Sequence, residues 1–176
     1  MITSYEKLLE SLVLAQVKFA LAGGLAVCLN GFVRTTDDVD ILIDNSDDNI
    51  TRLTHVLADF GEGFGKDLTP ADLSNEPGAV RIQEDFILDI FVQMNGKTLA
   101  DFSPWIGHHA LKSGVLVPFL LAAGLIETKR GSLREKDRVD IGALTDISRA
   151  KNVPDSLQDF SLDSVRSPPE TEETTQ

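Results

Sequence analysis

Within residues 38–44, DVDILID, Asp38 and Asp40 alternate with Val39 and Ile41 in a stretch otherwise built from aliphatic residues. A strand sends successive side chains to opposite faces, so the two carboxylates share one face, about 7 Å apart, while Val39 and Ile41 enter the core. Charge is costly away from water unless it is paired or bound to a cation. This strand therefore restricts the chain to folds in which its acidic face meets solvent, a basic partner or a metal ion.

The surrounding patterns supply the other elements. Thr3 and Glu6 have capping-box spacing, and Leu8, Leu9, Leu12, Val13 and Val17 recur with helical period. VKFALAG reads as a short buried strand stopped by Gly23 and Gly24, and LAVCLNG as a helix ending at Gly31. From Ser46 a helix caps itself and carries Ile50, Leu53, Val56, Leu57 and Phe60 along one face. AVRIQ and FILDIFVQM read as a hairpin of two strands. ADFSPWIGHHALKSG reads as irregular or weakly helical, VLVPF as extended, and the segments beginning LLAAG and REKDR as two helices. The expected class is α/β (α+β): a small mixed sheet flanked by helices, with a short C-terminal helical region. One domain is expected over residues 1–152, with a core at 19–93 and a helical part at 115–150. Residues 153–176 are polar and poor in large apolar side chains, which predicts a disordered acidic tail; an acidic interaction segment is the other reading.

At 176 residues the chain suffices for a sizeable core, and 42% hydrophobic with 25% charged residues is the balance of a soluble folded protein. No run reaches the ~18 apolar residues of a membrane span, and the start lacks a basic head followed by an apolar stretch. A single cysteine excludes an internal disulfide, so a cytoplasmic protein is expected. The net charge of −12 argues against a surface that coats nucleic acid, though not against a local basic groove.

Asp89, in ILDIF, is a third carboxylate in apolar company. If its strand lies beside Asp38–Ile43, three carboxylates converge on one face, a donor set suited to Mg²⁺ or Mn²⁺. Gly23 and Gly24 end a strand and open a helix, where bare N–H groups can receive a phosphate. Each feature also has a plain structural reading. Solvated acids at a strand end, a Gly-Gly turn, and an arginine partner for Asp89 would account for them singly. Their combination and order favour the site.

The pattern apolar-Gly-Gly, then Arg-x-Thr-x-Asp-apolar-Asp, then apolar-Asp-apolar resembles the nucleotidyltransferase superfamily of the DNA polymerase β type. LAGGLAVCLNGFVRTTDDVDILID is most similar to its minimal bacterial branch, which includes abortive-infection and toxin–antitoxin nucleotidyltransferases. LIETKRGSLREKDRVDIGAL is similar to the basic and acidic segment that follows the core there, and the resemblance spans most of residues 19–144. It implies that Asp38, Asp40 and Asp89 hold metal and carry catalysis, Asp89 also helping to deprotonate the acceptor hydroxyl. Gly23 and Gly24 would cradle the phosphates of a nucleoside triphosphate, with Arg34 and Thr36 accompanying the acidic pair. The role it implies first is a toxin–antitoxin or phage-defence one, with a tRNA or a protein as acceptor and a cognate antitoxin or other partner protein in control; a small-molecule acceptor such as an antibiotic hydroxyl is the competing reading. Two departures stand out: Gly24 occupies a place often held by Ser, and Asn30 one often held by His.

Some assignments stay open at this level. Arg34 either touches phosphate or neutralises Asp37. Lys129 and Lys136 either reach the nucleotide or acceptor, or belong to an exposed helix laced with charge pairs, and Asp137 and Asp140 would then orient the basic groups. GEGFG follows a helix rather than a strand and reads as a mobile loop, not a dinucleotide site. DNSDDN lacks the central Gly of a calcium loop, His108 and His109 lack zinc-spaced partners, and Cys28 reads as core. The rival class is a catalytically inactive nucleotide-binding or protein-interaction module on the same fold.

Overall fold

The computed structural model describes residues 3–73 and 78–151. Helix α1 (Ser4–Leu14) opens with the expected capping box: the Thr3 N–H donates to Glu6 Oε2 at 2.8 Å, and the Glu6 N–H donates back to Thr3 Oγ1 at 3.4 Å. Its buried stripe of Leu8, Leu9 and Leu12 packs into the core. Strand β1 (Phe19–Leu21) leads into helix α2 (Gly23–Leu29), and β2 (Asp38–Ile43) into α3 (Asp47–Ala58). The hairpin β3 (Val80–Gln83) and β4 (Ile87–Phe91) follows, then β5 (Ile106–Ala110), β6 (Leu116–Leu120), α4 (Ala122–Lys129) and α5 (Glu135–Lys151).

The six strands form one sheet in the order β3-β4-β2-β1-β6-β5. It is mixed: β1/β2, β3/β4 and β5/β6 are antiparallel, whereas β2/β4 and β1/β6 are parallel. Strand β1 is wholly apolar and buried, and β2 is apolar except for Asp38 and Asp40, which are only half-buried. Two buried amides close gaps in this packing. Asn49 of α3 accepts from the Lys18 N–H at 2.6 Å and donates to the Lys18 and Asp44 carbonyls at 2.9 and 2.7 Å, tying α3 to the ends of β1 and β2. Asn30 donates to the Ala26 and Leu120 carbonyls at 2.8 and 3.0 Å, which fastens α2 to β6.

Three expectations need correction. Residues 106–110 form a strand, not an irregular or helical piece: β5 is an edge strand whose His108 and His109 face solvent, so it lacks the apolar alternation that marks a strand in sequence. The Ser46 side chain makes no cap bond to α3; its hydroxyl instead donates to the Asp44 carboxylate. Cys28 is half-buried rather than core, and its thiol donates to the Arg34 carbonyl at 3.3 Å. The tail expected from Val153 lies outside the described residues. Among the described residues, no helix is long and apolar enough to cross a membrane.

Candidate active site

Parallel pairing of β2 with β4 sets Asp38 opposite Ile87 and Asp40 opposite Asp89. Oxygens of Asp38, Asp40 and Asp89 consequently lie within 4.8 Å of one another. The condition left open by the sequence, that β4 lie beside β2, is met, and the three carboxylates converge. Asp38 is steered by its own loop, since the Thr36 hydroxyl donates to Asp38 Oδ1 at 2.9 Å. Asp40 feels the crowding most: burial, then the Asp38 and Asp89 charges, push its pKa up from 3.8 to about 6.

The glycines adjoin this cluster closely. Gly23 has φ +55°, and a Cβ there would run into the Asp40 carboxylate. At Gly24 a Cβ would meet the Thr36 side chain. Only residues without a side chain let the start of α2 approach the acidic strand this nearly.

The cluster opens into a cavity of about 610 Å³, lined among others by Gly23, Gly24, Arg34, Asp38, Asp40, Asp89, Lys129 and Lys136. Thr36 stands behind Asp38 and does not line it. Two plain structural readings change, that Arg34 pairs with Asp37 and that Lys129 lies on an exposed helix. Arg34 pairs not with Asp37 but with Asp140 of α5, at 2.9 Å through Nε–Oδ1 and 3.1 Å through Nη2–Oδ2. Lys129, expected on an exposed helix or at a ligand, is buried between Asp137 Oδ1 at 2.7 Å and Asp140 Oδ2 at 3.0 Å. Burial pushes Asp137 up, but hydrogen bonds from Lys129 and Ser132 outweigh it and hold the carboxyl below its usual range. Asp137 and Asp140 thus orient the basic groups, as one sequence reading had it. The alternating chain Arg34–Asp140–Lys129–Asp137 locks the C-terminal helices against the loop that precedes β2. Lys136 stays exposed at the cavity wall, and its charge reaches Asp40.

The arginine partner that the plain structural reading asked for at Asp89 is present, at a position the sequence left unnamed. Arg81 of β3 forks onto Asp89, with Nε to Oδ1 at 2.8 Å and Nη2 to Oδ2 at 2.7 Å. Hairpin counting around the Glu84–Phe86 turn would have found it, because pairing Gln83 with Ile87 forces Arg81 opposite Asp89. Arg134 also lines the wall, together with the turn Gln93–Gly96, which follows β4 and is tied to α4 by Asn95 Nδ2 donating to the Glu127 carbonyl at 2.9 Å.

The donor set is three hard carboxylate oxygens in mutual repulsion, which suits a divalent cation such as Mg²⁺. β2 and β4 thus form a parallel acidic pair in a mixed sheet, with the turn at Gly23 and Gly24 packed on the acids, and this fold has a counterpart among solved nucleotidyltransferases. The lincosamide antibiotic adenylyltransferase LnuA, in its lincomycin-bound crystal structure, shares that fold with this chain: TM-score 0.56 and 19% identity, over 82% of this chain and 96% of LnuA. An antigenic nucleotidyltransferase-like protein from Paracoccidioides brasiliensis aligns at TM-score 0.48 and 20% identity, over 80% of this chain and 73% of its own. Neither a family model nor a curated protein sequence matches the chain.

Proposed function

We propose that this protein is a Mg²⁺-dependent nucleotidyltransferase, moving a nucleoside monophosphate from a nucleoside triphosphate to an acceptor hydroxyl. The observation that carries this reading is the convergence of Asp38, Asp40 and Asp89 at the floor of an open cavity. These three carboxylates would hold the cation, which when bound supplies positive charge against the triphosphate. Gly23 and Gly24 leave room beside the acids for phosphate oxygens, the role the sequence resemblance implies for them. Asp89 would help take the proton of the acceptor hydroxyl, on a lone pair outside the Arg81 fork, as the hydroxyl oxygen bonds to the α-phosphorus and the bond to pyrophosphate breaks. Lys136 faces the cavity and offers its ammonium to the departing phosphates. Arg34 and Lys129, consumed in ion pairs, serve as anchored charges rather than mobile phosphate ligands.

A small-molecule hydroxyl is the acceptor with the most support. The cavity volume falls in the range of roughly 300–1,000 Å³ typical of small-ligand sites, and LnuA, which shares the fold over 96% of its own length, is an antibiotic adenylyltransferase. A net charge of −12 disfavours tRNA. The second reading is a toxin–antitoxin or phage-defence enzyme acting on a protein or tRNA under a partner's control; the exposed rim residues Arg134 and Lys136 favour it.

The test is label transfer from each of four α-³²P nucleotides into the small-molecule, protein and RNA fractions of a bacterial lysate, with Mg²⁺. Wild type runs beside the Asp38→Asn, Asp40→Asn double variant. Label entering the small-molecule fraction with wild type alone is the expected result. Metal-dependent nucleotide binding without transfer would point to the inactive module, and neither binding nor transfer would overturn the reading.

A further inference from the structure

Of the three carboxylates, Asp89 is the one whose two oxygens are both taken. Arg81, Asp89 and Asp40 stand in one row across β3, β4 and β2, each directly opposite the next. Arg81 is the one cation, among the described residues, in ion-pair contact with the triad. Its strand is the sheet edge, so the Arg81 side chain is 59% exposed while that of Asp89 is 7% exposed.

We propose that Arg81 is a positioning residue for Asp89, and that the same contact sets how tightly the triad takes a divalent cation. The inference rests on the metal-site reading given above. A two-point guanidinium fork occupies one lone pair on each Asp89 oxygen and fixes the carboxylate plane, so only the remaining lone pairs face Asp40. The guanidinium also holds a positive charge within a few ångströms of any cation the triad binds, which weakens binding of the bare ion. Asp89 is the contact that holds this edge arginine at the triad, because more than half of its side chain is exposed and its hydrogen bonds go to Asp89. The triad is thereby tuned toward ions that arrive with negative charge of their own, as in a metal–triphosphate complex, and away from free ions.

The probe is Mn²⁺ alone, titrated into the full chain and followed by electron paramagnetic resonance. The exposed Arg81→Gln variant, its folding checked by circular dichroism, should bind Mn²⁺ about tenfold tighter than wild type. Arg81→Lys, which keeps the charge but loses the fork, should fall between wild type and Arg81→Gln. In an Asp89→Asn background the same Arg81→Gln step should shrink below about threefold, because the guanidinium has lost its anchor. Equal or weaker Mn²⁺ binding by Arg81→Gln would overturn the inference while leaving the metal site intact. An undiminished gain in the Asp89→Asn background would overturn the Asp89-held role. Wild type that binds no Mn²⁺ would overturn the metal-site reading and this inference with it.

Discussion

Asp40 and Asp89 face each other in register across the parallel strands β2 and β4, the first half-buried and the second buried. Asp38 completes the cluster from two residues earlier on β2. Burial of Asp40, and after it the proximity of the other two charges, disfavours its ionised form and raises its pKa.

That cost has a pH signature. The Asp40 carboxyl titrates near 3.8 when unfolded and at about 6 when folded, so the native state holds the extra proton between these values. Stability from this group is present below the unfolded pKa and is lost as pH rises through about 6, a loss of about 3 kcal/mol once complete. Asp40→Asn should therefore stabilise the metal-free protein at pH 7.5 and do little at pH 4. Urea unfolding in a chelator at both pH values measures it.

Divalent cation should act in the opposite sense. Mg²⁺ or Mn²⁺ with nucleotide binds the folded triad alone and should raise the melting temperature, by the equivalent of about 2.7 kcal/mol at a hundred times the dissociation constant. The Asp38→Asn, Asp40→Asn double variant should show no such shift. Thermal melts of both proteins with and without ligand decide it.

Gly23→Ala tests the close approach of α2 to the acidic strand. Its φ of +55° and the Asp40 carboxylate where a Cβ would lie make alanine doubly unsuitable. The strain of the left-handed backbone costs on the order of 1 kcal/mol, and displacing Asp40 should weaken Mn²⁺ binding by at least about tenfold. Chemical unfolding and Mn²⁺ titration read the two effects separately.

Asp140 is fully buried and holds Arg34 and Lys129 at once. Asp140→Ala leaves two cations without their shared partner and should cost about 3–5 kcal/mol. Because those pairs are shielded from solvent, 0.5 M salt should leave the loss nearly unchanged. Denaturant unfolding at low and high salt is the measurement.

The sequence by itself determined the elements with a local physical cause. The capping box at Thr3 and Glu6, the leucine stripe of α1, the apolar runs of β1 and β2, and the Asp38–Asp40 alternation all act over a few residues. It also pointed to Asp89, because an aspartate inside ILDIF needs a reason to be there. Strand β5 was not legible, since an exposed edge strand becomes a strand only by pairing with β6. Nor were the partners of the charged side chains. Arg34 and Asp140 are joined by hydrogen bond and ion pair though 106 residues apart in the chain. No periodicity records such a contact, because it is fixed by how α5 packs back onto the loop before β2. Local patterning therefore chose which carboxylates could form a site. Only the tertiary structure decided that Arg81 grips one of them, and that Arg34 and Lys129 are paired with acids of α5.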